Sequence, residues 1–342
     1  MTDTQITAIK QLLENTKNIL ITTHYNPDGD AIGSSMALFH SLHGAGIKSQ
    51  VVVPNTIPDS IRWIEKSDEI LIFEERDTDE MARLFDDAGL IFCLDYNAPK
   101  RVGEKMQKPL EASKAVKILI DHHPQPSVGV FDFLYSETSA SSTAELVYKF
   151  LQKLEFEKFI NQAAAESLYT GIITDTGSFS FASNHPDVYL ITADLIERGV
   201  NAELLHRRIF DTFSEKRLRL MGFAFDQKLI VLDSFRTAII SLTKEELERF
   251  DHKSGDTEGI VNFPLSISTI NVSILLTERD DLIRLSFRSK GDFEVNKLAS
   301  DHFDGGGHRN AAGGDSKLSM QETIEKIKAI LPLYQDELQY QI

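Results

Sequence analysis

Along the first half of the chain, short apolar runs alternate with stretches in which apolar residues recur every three or four positions. Ile6, Ile9, Leu12 and Leu13 share one face of a helix expected over 5–16, and a strand is expected at 18–23. Ile32, Met36, Phe39 and Leu42 mark a second helix, which Gly44 and Gly46 end. Further strands are expected at 51–53, 70–73, 90–94, 116–120 and 131–134, with a helix over about 141–154. Alternation of this kind implies a largely parallel sheet with helices on both faces.

The second half reads differently. Residues 163–173 are helical and rich in small side chains, and they deliver Asp175; 185–226 looks almost wholly helical. Strands then resume at 228–232 and 237–242, followed by a hairpin of 271–276 and 282–287 around Glu278-Arg279-Asp280-Asp281. A glycine-rich loop, 305–314, precedes a last helix over about 320–331. The expected fold is α/β: a parallel-sheet domain over 1–185, a helical connector over 186–226 and a smaller α/β domain over 227–342.

With 342 residues, 42% of them hydrophobic, the chain has ample core for two domains. No apolar run is long enough to span a membrane, and Met1-Thr2-Asp3-Thr4-Gln5 lacks a signal-peptide pattern, so a cytoplasmic protein is expected. Cys93, the only cysteine, lies inside an apolar run and reads as a buried thiol. The formal net charge of −16 argues against binding along a long duplex, yet leaves a short anionic substrate open.

The chemistry sits where apolar runs end. Strand 18–23 leads into His24, Asp28 and Asp30; 90–94 closes on Asp95; 116–120 closes on Asp121-His122-His123; and Gly171-Ile172-Ile173-Thr174 closes on Asp175. In open α/β sheets ligands bind beyond the carboxyl ends of strands. A single Asp in such a place is usually a cap or a turn residue. Acids and histidines at four such ends together point to metal ligation by His24, Asp28, Asp30, Asp95, His122 and Asp175. A mixed carboxylate and imidazole set without thiolates suits Mn²⁺, with Mg²⁺ or Co²⁺ as alternatives, better than structural zinc. Two such ions would clamp a phosphoryl group and generate a nucleophile from water. The chain has no Gly-x-Ser-x-Gly elbow for covalent catalysis.

These residues resemble the motifs of the DHH phosphoesterase superfamily: His24-x-x-x-Asp28-x-Asp30, Asp95, Asp121-His122-His123 and Asp175 follow in the family's order. Gly305-Gly306-Gly307-His308-Arg309 resembles the hallmark of the DHHA1 domain, and Ser286-Phe287-Arg288-Ser289 resembles that domain's substrate-facing strand end. The resemblance runs from the first strand to Gly314, and within the superfamily it is strongest to the bifunctional nanoRNase and pAp phosphatase type. It implies that His24, Asp28 and Asp95 hold one metal, and that Asp30, Asp95, His122 and Asp175 hold the other. It further implies catalytic roles for His123, facing the scissile phosphate, and for Asp121, orienting the histidines. Substrate is expected at Arg288, Ser289, Gly306, Gly307, His308 and Arg309, because glycines admit backbone N–H groups to an anion and arginine grips phosphate bidentately. Arg101 is a further candidate for a phosphate contact, or else a solvated helix residue.

The activity so implied is two-metal hydrolysis of short single-stranded oligoribonucleotides and of 3′-phosphoadenosine 5′-phosphate (pAp), without membrane or long-duplex partners. A homo-oligomer is compatible with it. The alternatives are a phosphodiesterase for linear or cyclic dinucleotides and, in another class, a nucleotide-binding sensor without turnover. Against the sensor stands the full set of metal-ligand residues, which it would leave unexplained.

Overall fold

The computed structural model describes residues 1–253 and 255–339, so the expected second domain, 227–342, includes positions outside the described residues. Two compact units divide the chain, Met1–Thr212 and Phe213–Ile342. The first two helices of the expected connector fall in the first unit, and the third falls in the second.

The first unit alternates helix and strand: α1 Asp3–Asn15, β1 Ile19–Thr22, α2 Gly29–Gly44, β2 Gln50–Val53, β3 Leu71–Ile72, α3 Thr78–Asp86, β4 Leu90–Leu94, α4 Glu104–Ala112, β5 Val116–Asp121 and β6 Phe133–Ser136. Helices α5 Thr143–Lys153, α6 Gln162–Asp175, α7 Pro186–Glu197 and α8 Ala202–Phe210 complete it. The six strands form one sheet in the order β3-β2-β1-β4-β5-β6, and every neighbouring pair is parallel.

The period-two alternation of each strand splits the core between the two faces of the sheet. Ile19, Ile21, Phe92, Leu94, Ile118 and Ile120 face α1, α2, α5 and α6. Leu20, Ile91, Cys93 and Leu119 face the opposite way, towards Met81 and Phe85 of α3 and Met106 and Leu110 of α4. Both faces being covered, the strands read as continuous apolar runs, which is why they were legible. Two expected strands differ. Of 70–73 only Leu71–Ile72 pairs, because Phe73–Glu75 turns into a 3-10 helix. The last strand lies two residues later than expected, at Phe133–Ser136.

The second unit comprises α9 Glu215–Gln227, β7 Leu229–Leu232, β8 Thr237–Leu242, α10 Lys244–Arg249, β9 Val272–Glu278, β10 Ile283–Ser289, α11 Val295–His302, β11 Gly306–His308, β12 Ala311–Ser316, α12 Met320–Ile330 and α13 Gln335–Leu338. Its sheet runs β11-β12-β10-β9-β8-β7, antiparallel except for the β8–β9 pair. Phe287, Leu285, Ile274 and Leu276 pack there against α11 and α12. The glycine-rich stretch, expected as a loop, is a tight hairpin in which Gly306 pairs with Gly313 and His308 with Ala311. The groups of β11 that face β12 are paired across the ladder while β11 itself is the edge of the sheet, which a string of glycines in sequence does not announce.

Candidate metal centre

The sheet order reverses direction at β1, between β2 and β4. That switch point is where a doubly wound sheet opens a crevice beyond its strand ends. His24 and Asp28 follow β1, Asp95 follows β4, and Asp121-His122-His123 closes β5. Asp28 caps α2, accepting the amides of Asp30 and Ala31 at 3.0 Å each through Oδ1, while Asp30 sits in that helix's first turn. Asp175 arrives from another direction, as the last residue of α6. Small residues bring α6 in: a Cβ on Gly29 would lie 2.4 Å from the Thr174 side chain, and one on Gly171 would lie 2.8 Å from Asp30 Oδ1. A larger side chain at either position would force the acids of α2 and α6 apart.

Two groups of donors result. His24 Nε2 lies 3.4 Å from Asp95 Oδ2 and 3.9 Å from Asp28 Oδ2. His122 Nε2 lies 3.6 Å from Asp95 Oδ1, 3.5 Å from Asp175 Oδ2 and 3.9 Å from Asp30 Oδ2. Each oxygen of Asp95 therefore faces a different group. Asp95 itself takes a left-handed backbone, φ 64°, uncommon for a residue with a side chain and typical of functional positions. The imidazoles are oriented from behind: His24 Nδ1 donates to the Tyr25 carbonyl at 2.9 Å, and His122 Nδ1 sits 3.4 Å from the Ala140 carbonyl. Both present Nε2 to the acids. His123 differs, donating from Nδ1 to Asp121 Oδ1 at 2.7 Å. Asp121 is fully buried, and its other oxygen has no hydrogen-bond partner among the described residues.

Asp28, Asp30, Asp95 and Asp175 crowd four carboxylates together, and the ionisation of Asp30 and Asp175 records the crowding. Burial, then the charges of Asp95, Asp175 and Asp28, push Asp30 well above the usual carboxylate range. Asp175 keeps 32% of its side chain exposed at the mouth of this group. Burial and the charges of Asp28 and Asp95 outweigh His122 and carry it up to about 6. Burial also opposes charge on Asp95, but the His24 hydrogen bond and the charges of His123, His24 and His122 win and hold it well below the ordinary range. His24 is the mirror case: burial lowers it, the Asp95 hydrogen bond and the Asp28 and Asp95 charges raise it, and the net is about 9. His123 is likewise raised: burial is outweighed by its Asp121 hydrogen bond and by Asp95, and the charge of Arg101 opposes the rise. Divalent cations would resolve this crowding. Two ligands about 2.1 Å from one ion and 90–109° apart are about 3.0–3.4 Å from each other, so the observed separations need only a small contraction. The donor set thus fits His24, Asp28 and Asp95 around one cation, and Asp30, Asp95, His122 and Asp175 around a second.

The run Ser139-Ala140-Ser141-Ser142-Thr143 carries a role that sequence reasoning missed. Ser142 caps α5, donating no ligand itself but fixing the helix start. The amides of Thr143 and Ala144 donate to Asp30 at 2.7 and 2.9 Å, and Thr143 Oγ1 donates to Asp95 Oδ1 at 2.9 Å. The available signal was a serine-rich stretch before an apolar helix, the mark of a cap. Glu145 braces this turn, accepting from Ser141 and from Lys149 at 2.7 Å each.

The expected substrate residues lie on the second unit's hairpin and its neighbour strand, apart from Arg101, which lies in the 3-10 turn Pro99–Val102 of the first unit. Arg288 Nη1 donates to the Phe287 carbonyl at 2.9 Å. Ser289 Oγ is engaged internally, donating to the Phe293 carbonyl at 2.7 Å and accepting from Asn310 at 2.8 Å. Arg309 pairs with Asp292 at 3.0 Å, while Gly306, Gly307 and His308 form β11.

A switch-point crevice lined by carboxylates and imidazoles is the setting of a metal-dependent hydrolase on a doubly wound sheet. Residues 18–172 match the DHH family N-terminal domain and residues 237–337 match the DHHA1 domain. The chain belongs to the DHH family with a DHHA1 second domain. It is 31% identical to the bifunctional oligoribonuclease and PAP phosphatase NrnA of Thermus thermophilus, over 90% of this chain and 87% of that protein. Identity to the Bacillus subtilis protein of the same name is 30%, over 86% of this chain and 88% of that one. The crystal structure of an exopolyphosphatase-related protein from Bacteroides fragilis is similar with a TM-score of 0.94 and 38% identity, covering 99% of this chain and 98% of that one.

Proposed function

We propose that this protein hydrolyses phosphoester bonds in short single-stranded oligoribonucleotides and in pAp, at a centre of two divalent cations, Mn²⁺ first. The observation that carries the reading is the convergence of His24, Asp28, Asp30, Asp95, His122 and Asp175 on one crevice, with the two oxygens of Asp95 turned to different donor groups. The relatives named for oligoribonuclease and PAP phosphatase activity support this substrate class. Among the described residues no helix is long and apolar enough to cross a membrane.

When bound, the cations supply Lewis-acid polarisation of the phosphoryl oxygens and make a water acidic enough to attack at neutral pH. The chain's own residues do the rest. Asp95, held by Thr143 Oγ1 and in a fixed left-handed turn, keeps the two donor groups in register. His123, raised in pKa and anchored through Nδ1 to Asp121, offers Nε2–H to a phosphate oxygen. The water oxygen bonds to phosphorus, the bond to the leaving oxygen breaks, and that oxygen takes up a proton. Arg288 and the hairpin amides of the second unit serve recognition of the nucleotide.

The test is hydrolysis of a 5′-labelled dinucleotide in ¹⁸O-water with Mn²⁺. One ¹⁸O in the released nucleotide's phosphate, lost on chelation, supports the reading. No release at any metal concentration would favour a nucleotide-binding sensor.

A further inference from the structure

Beside the metal-ligand groups stands an aromatic side chain that the chemistry above does not use. Tyr25 follows His24 directly, and its side chain is exposed, at 41%. An exposed ring on a surface turn is ordinarily mobile, but this one has a fastened backbone. Its amide donates to the Arg101 carbonyl at 2.7 Å, and its carbonyl accepts from His24 Nδ1 at 2.9 Å. The next residue, Asn26, is held in a left-handed turn, φ 56°, by Asn55, whose amide group accepts from the Asn26 backbone at 2.7 Å and donates to its side chain at 2.8 Å. The ring lies against Gly103, φ 79°, where a Cβ would come within 2.6 Å of Tyr25 Cδ2. The ring is therefore packed against glycine backbone on one side while it keeps part of its surface open to solvent. Arg101, whose carbonyl holds Tyr25, has a charge that reaches His123. Its side chain is exposed and engages no carboxylate within salt-bridge distance among the described residues.

A ring on a fastened backbone, hydrogen-bonded to the backbone of a cationic residue and next in sequence to His24, has the components of a nucleotide subsite. A nucleobase of any identity can stack on an aromatic face, and a guanidinium can meet the phosphate. A dinucleotide has a nucleoside on each side of its scissile phosphate, whereas the 3′-phosphate of pAp has one on a single side. Given the oligoribonuclease and pAp phosphatase activity proposed above, we infer that Tyr25 is a stacking platform, with Arg101 beside it, for the base of the nucleotide beyond the scissile phosphate. It is a specificity determinant that serves short RNA and leaves pAp untouched. Because stacking reads no base edge, the subsite is sequence-tolerant, as removal of mixed RNA fragments requires.

The experiment compares wild type, Tyr25→Ala and Tyr25→Phe on a 5′-phosphorylated dinucleotide and on pAp. Tyr25→Ala should lower kcat/KM for the dinucleotide about 5- to 100-fold, the range that stacking on an aromatic side chain supports, mainly through KM. Turnover of pAp should be unchanged, and Tyr25→Phe should restore the dinucleotide. A dinucleotide with a methylene-phosphonate linkage and 2-aminopurine as its second base should lose fluorescence on binding wild type but not Tyr25→Ala. Equal losses on both substrates, no loss on either, or quenching indifferent to Tyr25 would overturn the subsite alone. Wild type that turns over neither substrate would overturn the functional reading, and the subsite with it.

Discussion

Replacing Thr143 by valine removes one oxygen and almost no volume, so it isolates the hydroxyl that donates to Asp95 Oδ1 at 2.9 Å. The backbone amide of residue 143 would still reach Asp30 at 2.7 Å. A hydrogen bond to a charged group is worth about 1.5–3 kcal/mol. If that bond holds Asp95 in the orientation that serves both donor groups, its loss should weaken divalent-cation affinity by about 10- to 100-fold, at about 1.4 kcal/mol per decade. Changes behind other metal sites fall in that same range. Calorimetric titration of chelated protein with Mn²⁺ reads it directly, and Thr143→Ser, which keeps the hydroxyl, should stay near wild type. If Thr143→Val binds Mn²⁺ as tightly as wild type, Asp95 needs no support from α5, and the bracing role of that helix start is wrong.

His122→Ala should reduce bound metal from two ions to one by elemental analysis, whereas His123→Ala should keep both and slow turnover; equal metal loss in the two would refute the division of roles. The pH dependence of the metal-free protein follows from His24 and Asp175, both raised. The folded state holds the His24 proton more tightly than the unfolded chain, so that stabilisation is present below about 6.5 and lost as pH rises through about 9. Asp175 acts in the same sense at lower pH, with stability falling between the ordinary value, 3.8, and about 6. The melting temperature of chelated protein should therefore fall from pH 6.5 to 9.5, and fall less in His24→Gln; a rise would contradict the ionisation scheme. Arg288→Ala should lower kcat/KM for short RNA and pAp about 10- to 100-fold, the value of a charge-assisted contact, while sparing bis-p-nitrophenyl phosphate. An equal loss on the generic ester would place Arg288 in the catalytic centre.

The parallel sheet was legible because burial on both faces writes each strand as an unbroken apolar run. Strand 90–94 and strand 237–242 fall where the sequence predicts them. The joint placement of acids and histidines at the ends of three strands and of one helix was equally readable, since few structural needs produce it four times. Contacts made by backbone were not. The amides of Thr143 and Ala144 hold Asp30 whatever side chains they carry, so no residue type marks them. The β11–β12 hairpin stayed hidden because glycines carry no alternating pattern, and its register comes from tertiary pairing with β10. Tyr25 looked like any aromatic after a histidine. Its significance comes from Asn55 and Gly103, neither of which is close in sequence.

Substrate choice is read most directly by kcat/KM with Mn²⁺ across one panel: two- to five-nucleotide RNAs, pAp, cyclic dinucleotides and pyrophosphate. The shortest RNAs and pAp should lead, cyclic dinucleotides and pyrophosphate should trail by at least about tenfold, a difference of about 1.4 kcal/mol in transition-state stabilisation, and Asp95→Ala should abolish turnover of every member. Preference for a cyclic dinucleotide or pyrophosphate, or wild-type turnover by Asp95→Ala at saturating Mn²⁺, would contradict the proposed function.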